Sequence, residues 1–582
     1  MRQTLIATGL ALLAPFTVFA QDAADAVQPE TTISIDAKAA GTPIEAQDWM
    51  VVAANPLASQ AGAKVLERGG TAADAMIAVQ TVLGLVEPQS SGLGGGAFLV
   101  WYDAKSGEIT TLDGRETAPA AATPRLFQDE NGEPLKFFDA VVGGRSVGVP
   151  AIPALMERAH QKWGNQEWSG LFYDAYSLAD YGFAVSPRLA GLIARDAERL
   201  AKYPETASYF LPNGRALAHN DLLTNKPYAA LMNELARNGT KSFYHGEIAQ
   251  DIVDAVQNAT GNPGVLSMAD MANYQVKERK PVCATYRAHE VCGMGPPSSG
   301  ALTVGQILGM LEGYDLAAMG PQNPHAWRLI GDASRLAFAD RGRYMADSDF
   351  VPVPSKGLLD PAYLSNRAEA LDGGPALGSV SAGMPAFDHA MNWADDESLE
   401  LPSTSHISIV DSYGNALSMT STIENAFGSR LMVRGFLLNN ELTDFSFRSH
   451  KDGVPIANAI APGKRPRSSM APTIVLKDGK PVLIVGSPGG SRIIGYVAKT
   501  IIAHLDWDMD VQAAVSFGHA VNRFGTYDLE KGGAMEAMAP DLEALGYQVN
   551  VRDLNSGLHI IAVGDVLQGG ADPRREGVAL GQ

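Results

Sequence analysis

The sequence has little cysteine, an excess of acidic over basic residues, and no long apolar run after its first twenty residues. Two cysteines occur in 582 residues, and they lack the neighbouring ligands of a zinc site, so no metal centre is predicted. The net charge of -19 gives no attraction to nucleic acid or anionic membranes, although a local basic pocket can still bind a small anion. No later stretch approaches eighteen uninterrupted apolar residues, so no membrane span is predicted for the mature chain.

The first residues have the pattern of an export signal. Arg2 precedes an apolar run from Leu5 to Phe19, and Val18-Phe19-Ala20 is a small-residue cleavage pattern. Residues 1–20 are therefore predicted to be a signal peptide, and the mature protein is expected in the periplasm or outside the cell. Residues 21–47 are rich in Ala, Thr, Pro and acidic residues without a clear period, which predicts a flexible leader.

Cys283 and Cys292 flank eight residues that can fold back as a tight pair of strands. Such a pair would bring the two sulfurs together in an oxidising compartment. The sequence leaves open whether they are bonded.

Helix signals surround a glycine-rich stretch near the start of the mature chain. Residues 56–70 form one predicted helix, and Thr71 with Asp74 forms a capping box that opens a second. The run of glycines at 94–96 follows that helix and precedes a strand, which is the wrong order for a phosphate-binding loop. It predicts close backbone packing beside a site.

A predicted hairpin begins at Thr404. Residues 407–411 alternate with period two, residues 412–415 supply a turn, and residues 416–422 resume an apolar and β-branched run. A threonine hydroxyl is a weak nucleophile, but an N-terminal threonine carries its own base, the α-amine. This chemistry requires the bond between Ser403 and Thr404 to be cut, and the loose polar residues 373–401 would then form a tail.

Several polar groups elsewhere suit the binding of a small zwitterion. Arg115 lies in a charged turn, Glu441 and Asp444 follow an apolar strand, and Ser468 and Ser469 offer adjacent hydroxyls. Residues 486–491 link a predicted strand to a helix, and unpaired backbone N–H groups at such a helix start suit a negative oxygen.

Together these motifs resemble the γ-glutamyltranspeptidase family of N-terminal-nucleophile hydrolases, from about Val51 to Arg574. The resemblance rests on residues 87–92, the glycine run, 114–119, 296–300, the Thr404 segment, 438–441, 467–470 and 486–490, in the family's order. It implies an α+β fold, a four-layer αββα sandwich. It implies self-cleavage into a large chain, residues 48–403 after the leader, and a small catalytic chain, residues 404–582, which share one globular fold.

The resemblance also implies roles for single residues. Thr404 matches the family's nucleophile, and Thr422 matches the threonine whose hydroxyl supports it. Gly489 and Gly490 match the glycines whose backbone forms the oxyanion hole. The substrate's α-carboxylate is expected at Arg115, Ser468 and Ser469, and its α-amine at Glu441, Asp444 and Glu424. The implied reaction is hydrolysis or transfer of γ-glutamyl groups from glutathione or similar amides to water, an amino acid or a peptide, without cofactor or metal.

Two departures from the family pattern affect the expected substrate. Glu424 stands where many relatives have asparagine, and residues 446–464 look short for a lid and contain no tyrosine, which predicts an open pocket. Open pockets are also expected in the similar cephalosporin (glutaryl) acylases, so that amidase activity is an alternative. A further alternative is an exported scaffold that neither cleaves itself nor catalyses a reaction.

Overall fold

The computed structural model describes residues 29–389, 392–396, 398, 400 and 403–582. The predicted signal peptide lies outside these residues. Helices in the described part are Pro29–Ala40 (α1), Pro56–Glu67 (α2), Ala72–Val86 (α3), Phe137–Val141 (α4), Ile152–Trp163 (α5), Tyr173–Tyr181 (α6), Pro187–Leu200 (α7), Pro204–Phe210 (α8), Lys226–Asn238 (α9), Lys241–His245 (α10), Glu247–Gln257 (α11), Met268–Asn273 (α12), Gly300–Leu311 (α13), Leu316–Met319 (α14), Pro324–Tyr344 (α15), Ser355–Leu358 (α16), Pro361–Ala368 (α17), Ile493–Leu505 (α18), Val511–Ser516 (α19), Ala534–Ala537 (α20) and Ala539–Ala544 (α21).

Most strands belong to two antiparallel sheets. The strands are Ile44–Ala46 (β1), Met50–Ala53 (β2), Gly96–Asp103 (β3), Glu108–Gly114 (β4), Phe183–Ala184 (β5), Leu222–Leu223 (β6), Lys277–Arg279 (β7), Val282–Tyr286 (β8), His289–Gly293 (β9), Ser405–Val410 (β10), Ala416–Thr422 (β11), Met432–Val433 (β12), Phe436–Leu437 (β13), His450–Lys451 (β14), Val454–Pro455 (β15), Thr473–Lys477 (β16), Lys480–Gly486 (β17), Ala520–Asn522 (β18), Thr526–Glu530 (β19), Gln548–Arg552 (β20), His559–Val563 (β21), Leu567–Ala571 (β22) and Val578–Gly581 (β23).

The two sheets have seven strands each and pack face to face. Their orders are β23-β2-β10-β11-β3-β4-β7 and β1-β22-β21-β17-β16-β9-β8. Val410 points into the core between the sheets, where it joins Ile484 and Ile561 of the second sheet. Ile409, one residue earlier, faces the opposite side and packs with α2 and α3. This period-two alternation buries both faces of the central strands.

Helices cover the outer faces and complete four layers. The first sheet is covered by α2 and α3, and the second by α13 and α18, with α15 packed on α13. Strand β10 lies between β2 and β11, and β1 pairs with β22, so segments before and after residue 403 contribute to both sheets. The two sides of the predicted cleavage site thus form one intertwined fold, the αββα sandwich that the sequence motifs imply.

The predicted flexible leader is wrong for residues 29–47, and residues 21–28 lie outside the described part. Residues 29–40 form α1 and residues 44–46 form β1. Ser34 Oγ donates to the carbonyl of Ala579 at 2.6 Å, and Lys38 Nζ donates to that of Gly577 at 2.6 Å. These partners lie more than 500 residues away, so local composition gave no sign of them.

Local predictions agree with the structure elsewhere. Thr71 and Asp74 form the capping box of α3, and β10 and β11 form the hairpin predicted after Thr404. Cys283 and Cys292 face each other across β8 and β9 and are joined by a disulfide bond. The described helices include none that is both long and apolar enough to cross a membrane.

Candidate active site

Thr404 lies immediately before β10, where both sides of its peptide bond are anchored. The Ser403 hydroxyl donates to the carbonyl of Gln89 at 2.7 Å. The Thr404 carbonyl accepts a hydrogen bond from Arg575 Nη1 at 2.8 Å. Thr404 itself is buried. The Ser403–Thr404 bond is therefore held in one orientation inside the protein.

The Thr404 hydroxyl lies against the carbonyl oxygen of Ser403. Pairing of β10 with β11 brings Thr422 to the same point, where its hydroxyl donates to the Ser403 carbonyl at 3.2 Å and lies 3.4 Å from Thr404 Oγ1. The backbone N–H of Glu424 fixes the Thr422 hydroxyl at 2.8 Å. A hydrogen bond to this carbonyl draws electrons from its carbon, which favours attack by a neighbouring hydroxyl.

The glycine run packs closely behind this arrangement, as predicted. A Cβ on Gly95 would overlap the carbonyl oxygen of Thr422, and one on Gly94 would overlap that of Leu437. Only glycine lets the loop approach these backbones, so the run supports β11 beside the nucleophile.

The predicted oxyanion hole follows β17. Gly489 has φ +143° and Gly490 has φ +58°, values that favour glycine, and Gly490 begins the short turn that leads into α18. Gly490 and Ile493 line the cavity beside Thr404. The loop thus brings the start of a helix to the nucleophile, where free N–H groups suit a negative oxygen.

One small cavity collects nearly all predicted site residues. Its free volume is about 20 Å³, and it is lined by Arg115, Glu400, Ser403, Thr404, Thr422, Glu424, Glu441, Asp444, Ser468, Ser469, Met470, Gly490 and Ile493. Of the predicted residues, only Gly489 does not line it. Residues more than 300 positions apart therefore meet at one point.

Arg115 forms ion pairs within the protein. It follows β4, is buried, and its guanidinium contacts both Glu441 and Asp444. Its Nε donates to the carbonyl of Pro466 at 3.2 Å and its Nη2 to that of Arg467 at 2.8 Å. A guanidinium has five N–H donors, and these contacts use four of them. In the uncut chain, Arg115 has little capacity left for a substrate carboxylate.

Arg115 is surrounded by more carboxyl groups than its single positive charge can balance. Burial raises the pKa of Glu424, Glu441 and Asp444 well above the usual range, and repulsion from neighbouring carboxylates adds to the effect. Burial also raises the pKa of the adjacent Glu116 to about 8. One oxygen of each of the first three residues (Glu424 Oε1, Glu441 Oε2 and Asp444 Oδ1) is buried without a hydrogen-bond partner. Such a cluster attracts a cation.

A second charged group, which the sequence does not predict, contains Glu400, Arg341 and Arg467. The carboxylate of Glu400 contacts the guanidinium of Arg341 and the hydroxyl of Ser469. Arg341 Nη2 also donates to Ser469 Oγ at 2.7 Å, and Arg467 Nε lies 3.5 Å from Glu400. Burial raises the pKa of Glu400, but the two guanidinium groups outweigh it and hold that pKa at about 2.

Sequence comparison identifies the family. A profile described as Gamma-glutamyltranspeptidase matches residues 58–582. The chain belongs to this family. It is 36% identical over 549 residues to a glutathione hydrolase proenzyme of Bacillus subtilis, covering 92% of each chain. It is 33% identical over 515 residues to the acylase ACY 1 proenzyme of a Pseudomonas strain, covering 87% of this chain and 88% of the relative.

A solved structure supports the fold. The cephalosporin acylase of Bacillus halodurans superposes with a TM-score of 0.83 at 24% identity, covering 93% of this chain and 97% of the other. The comparisons confirm the family, the fold class and the enzyme class that the sequence motifs predicted. The roles of single residues remain predictions. Residues 446–464, predicted to leave the pocket open, carry a short hairpin whose strand β14 is exposed and whose strand β15 is partly buried.

Proposed function

We propose that this γ-glutamyltranspeptidase relative is a self-processing γ-glutamyl transferase and hydrolase that acts on glutathione and other γ-glutamyl amides. Thr404 is the nucleophile in two successive reactions, and the cleavage site lies between Ser403 and Thr404. The contact between the Thr404 hydroxyl and the Ser403 carbonyl supports the first reaction.

Self-cleavage proceeds by an N-to-O acyl shift. The Thr404 oxygen attacks the Ser403 carbonyl carbon, the C–N bond breaks, and the amine takes the proton, leaving an ester. Water then hydrolyses the ester and releases the Ser403 carboxylate and the Thr404 hydroxyl. Thr422 assists by donating to the carbonyl oxygen.

The second reaction uses the new α-amine as the base. It takes the Thr404 hydroxyl proton while the oxygen attacks the γ-carbonyl of a donor, and the N–H groups of Gly489 and Gly490 stabilise the resulting oxyanion. The donor C–N bond breaks, and the proton goes to the leaving amine. Water or the amine of an amino acid or peptide then resolves the γ-glutamyl ester.

The three unpartnered carboxylate oxygens of Glu424, Glu441 and Asp444 are the reason for proposing a γ-glutamyl donor rather than a glutaryl donor. An α-ammonium has three N–H donors and a positive charge, so it satisfies these oxygens and offsets their repulsion. A glutaryl group has only hydrogens at that carbon and leaves them unpaired. Ser468 and Ser469, with Arg115, remain the proposed α-carboxylate partners.

Matched anilides of the two acyl groups test this choice. Leaving buried charge unpaired costs about 3–5 kcal/mol, so kcat/KM for γ-glutamyl-4-nitroanilide is expected to exceed that for the glutaryl compound roughly 10²- to 10³-fold. Glu424→Gln removes one carboxylate and keeps an acceptor for Asn440. It should therefore lower the ratio of kcat/KM for the γ-glutamyl over the glutaryl anilide about tenfold, without preventing self-cleavage. Equal or better turnover of the glutaryl anilide would instead favour the acylase alternative, which the ACY 1 similarity supports.

Maturation has its own test. N-terminal sequencing of the small chain should begin Thr-Ser-His-Ile, and Thr404→Ala should stop both cleavage and turnover. Full activity of an uncut chain would contradict the mechanism and point to another nucleophile, whereas an uncut chain without activity would favour the scaffold alternative.

A further inference from the structure

A second, larger groove also reaches the scissile bond. Its volume is about 990 Å³, which is in the range of sites for small ligands and short peptides. Residue Ser403 lines both this groove and the catalytic cavity. The other lining residues include part of α7, residues 425–427 that follow Glu424, the ends of β19 and β20, and the arginines at positions 430, 492 and 574.

The groove is basic although the protein is strongly acidic. Among the described residues, its wall carries eight basic side chains and three acidic ones, in a chain of net charge -19. Two of the acids are already paired within the protein: Asp196 with Arg199 and Arg430 at 2.7 and 2.9 Å, and Glu530 with Arg574 at 2.6 Å. Asp553 is the remaining acid.

Three basic side chains in the wall make no hydrogen bond or ion pair within the described part of the chain: Arg195, Lys531 and Arg552. Each is exposed. Lys531 and Arg552 are held together because the Lys531 N–H donates to the Arg552 carbonyl at 3.0 Å where β19 and β20 end. Helix α7 carries Arg195 and also Arg188, whose Nε is buried without a hydrogen-bond partner but lies 3.6 Å from the carboxylate of Glu87.

We infer that this groove binds the carboxylates of an acidic peptide on the leaving-group side of the donor. The inference rests on the proposed function, because the acyl group would occupy the cavity of Thr404 and the amine portion would then extend past Ser403. Basic side chains from α7 and from the ends of β19 and β20 line one groove, so they can pair with carboxylates of one extended peptide. A neutral leaving group would gain nothing from them.

The test uses a triple variant, Arg195→Gln with Lys531→Gln and Arg552→Gln. Its matched control is Lys105→Gln, an exposed lysine in the β3–β4 turn, about 20 Å along β3 from the strand end that pairs with Thr422. First, binding of a dye-labelled tri-glutamate peptide to Thr404→Ala protein is followed by fluorescence anisotropy. The triple variant should raise Kd roughly 5- to 30-fold, and the control should match the parent.

Second, cleaved enzyme is assayed with γ-glutamyl-4-nitroanilide and with a γ-glutamyl-tri-glutamate peptide. The ratio of kcat/KM for the acidic donor over the anilide should fall by a similar factor in the triple variant. In the parent enzyme the ratio should also fall between 50 and 500 mM NaCl, since exposed ion pairs are screened.

The outcomes separate this inference from the proposed function. If no γ-glutamyl donor is turned over, the proposed function fails, and the binding assay still decides whether the groove takes an acidic peptide. Equal tri-glutamate binding by parent and triple variant would overturn the inference, as would an unchanged kcat/KM ratio. An oligonucleotide of the same charge that competes as well as the peptide would overturn the assignment to peptides.

Discussion

Removing the Thr422 hydroxyl should slow self-cleavage without unfolding the protein. Thr422→Val keeps the shape of the side chain and deletes a donor that lies 3.2 Å from the Ser403 carbonyl. Loss of one donor to a developing oxyanion typically costs 10²- to 10³-fold in rate. Because this bond is long and joins neutral groups, we expect a loss near the lower end, about 10²-fold.

The same change leaves the backbone N–H of Glu424 without its acceptor at 2.8 Å. A buried unpaired donor costs about 1–3 kcal/mol, whereas typical domains are stable by about 5–15 kcal/mol, so the variant should fold with a lower Tm. Thr420→Val is the matched control. Thr420 is buried on the same strand and bonds the His406 ring at 2.8 Å, away from the scissile bond.

Cleavage is measured by the appearance of two chains on denaturing gels over time, and Tm by calorimetry. We expect both variants to lose stability and only Thr422→Val to lose cleavage rate. Cleavage of Thr422→Val at the parent rate would refute the role of the hydroxyl. Equal slowing of the Thr420→Val control would show that the rate follows general stability.

Three further predictions concern the surroundings of the site. Gly95→Ala should prevent cleavage because its Cβ overlaps the neighbouring strand, whereas Gly170→Ala, which has open space, should cleave normally on gels. In the Thr404→Ala precursor, Glu400→Gln should lower Tm at neutral pH. The depressed pKa of Glu400 means that this stabilisation is present above about pH 4 and lost as pH falls toward 2, which unfolding at several pH values would detect. Cys283→Ser should lower the free energy of unfolding by about 2–3 kcal/mol. Denaturant unfolding with and without reductant should then give the same value for the variant and different values for the parent.

The sequence was most informative where local rules decide the structure. The hairpin at Thr404 follows from alternation and turn residues, and the helix at Thr71 follows from its capping box. The glycine run was predicted to pack closely because its order in the chain excluded a phosphate loop. In each case the signal lies within about twenty residues, so no distant partner had to be known.

Distant pairing was not predictable in the same way. The family resemblance implies that Arg115 holds the substrate's α-carboxylate, but in the uncut chain the fold pairs it with the protein's own Glu441 and Asp444. Arg341 lies within α15, which carries four arginines, and no sequence pattern distinguishes it from the others. Glu400 lies in a segment without periodicity, so its burial depends on contacts that only the folded chain supplies.

The position of Glu400 constrains the order of the two proposed reactions. Its carboxylate contacts Ser469, a hydroxyl proposed to hold the substrate's α-carboxylate. The cavity beside Thr404 retains about 20 Å³, room for about one water molecule and far less than a γ-glutamyl group needs. Substrate therefore cannot enter while Glu400 stays in place. Glu400 lies four residues before Thr404, so we expect that the proposed cut at Ser403 would free the segment that carries it. On this proposal self-cleavage comes before substrate binding for reasons of space, and before catalysis because the base is the new amine.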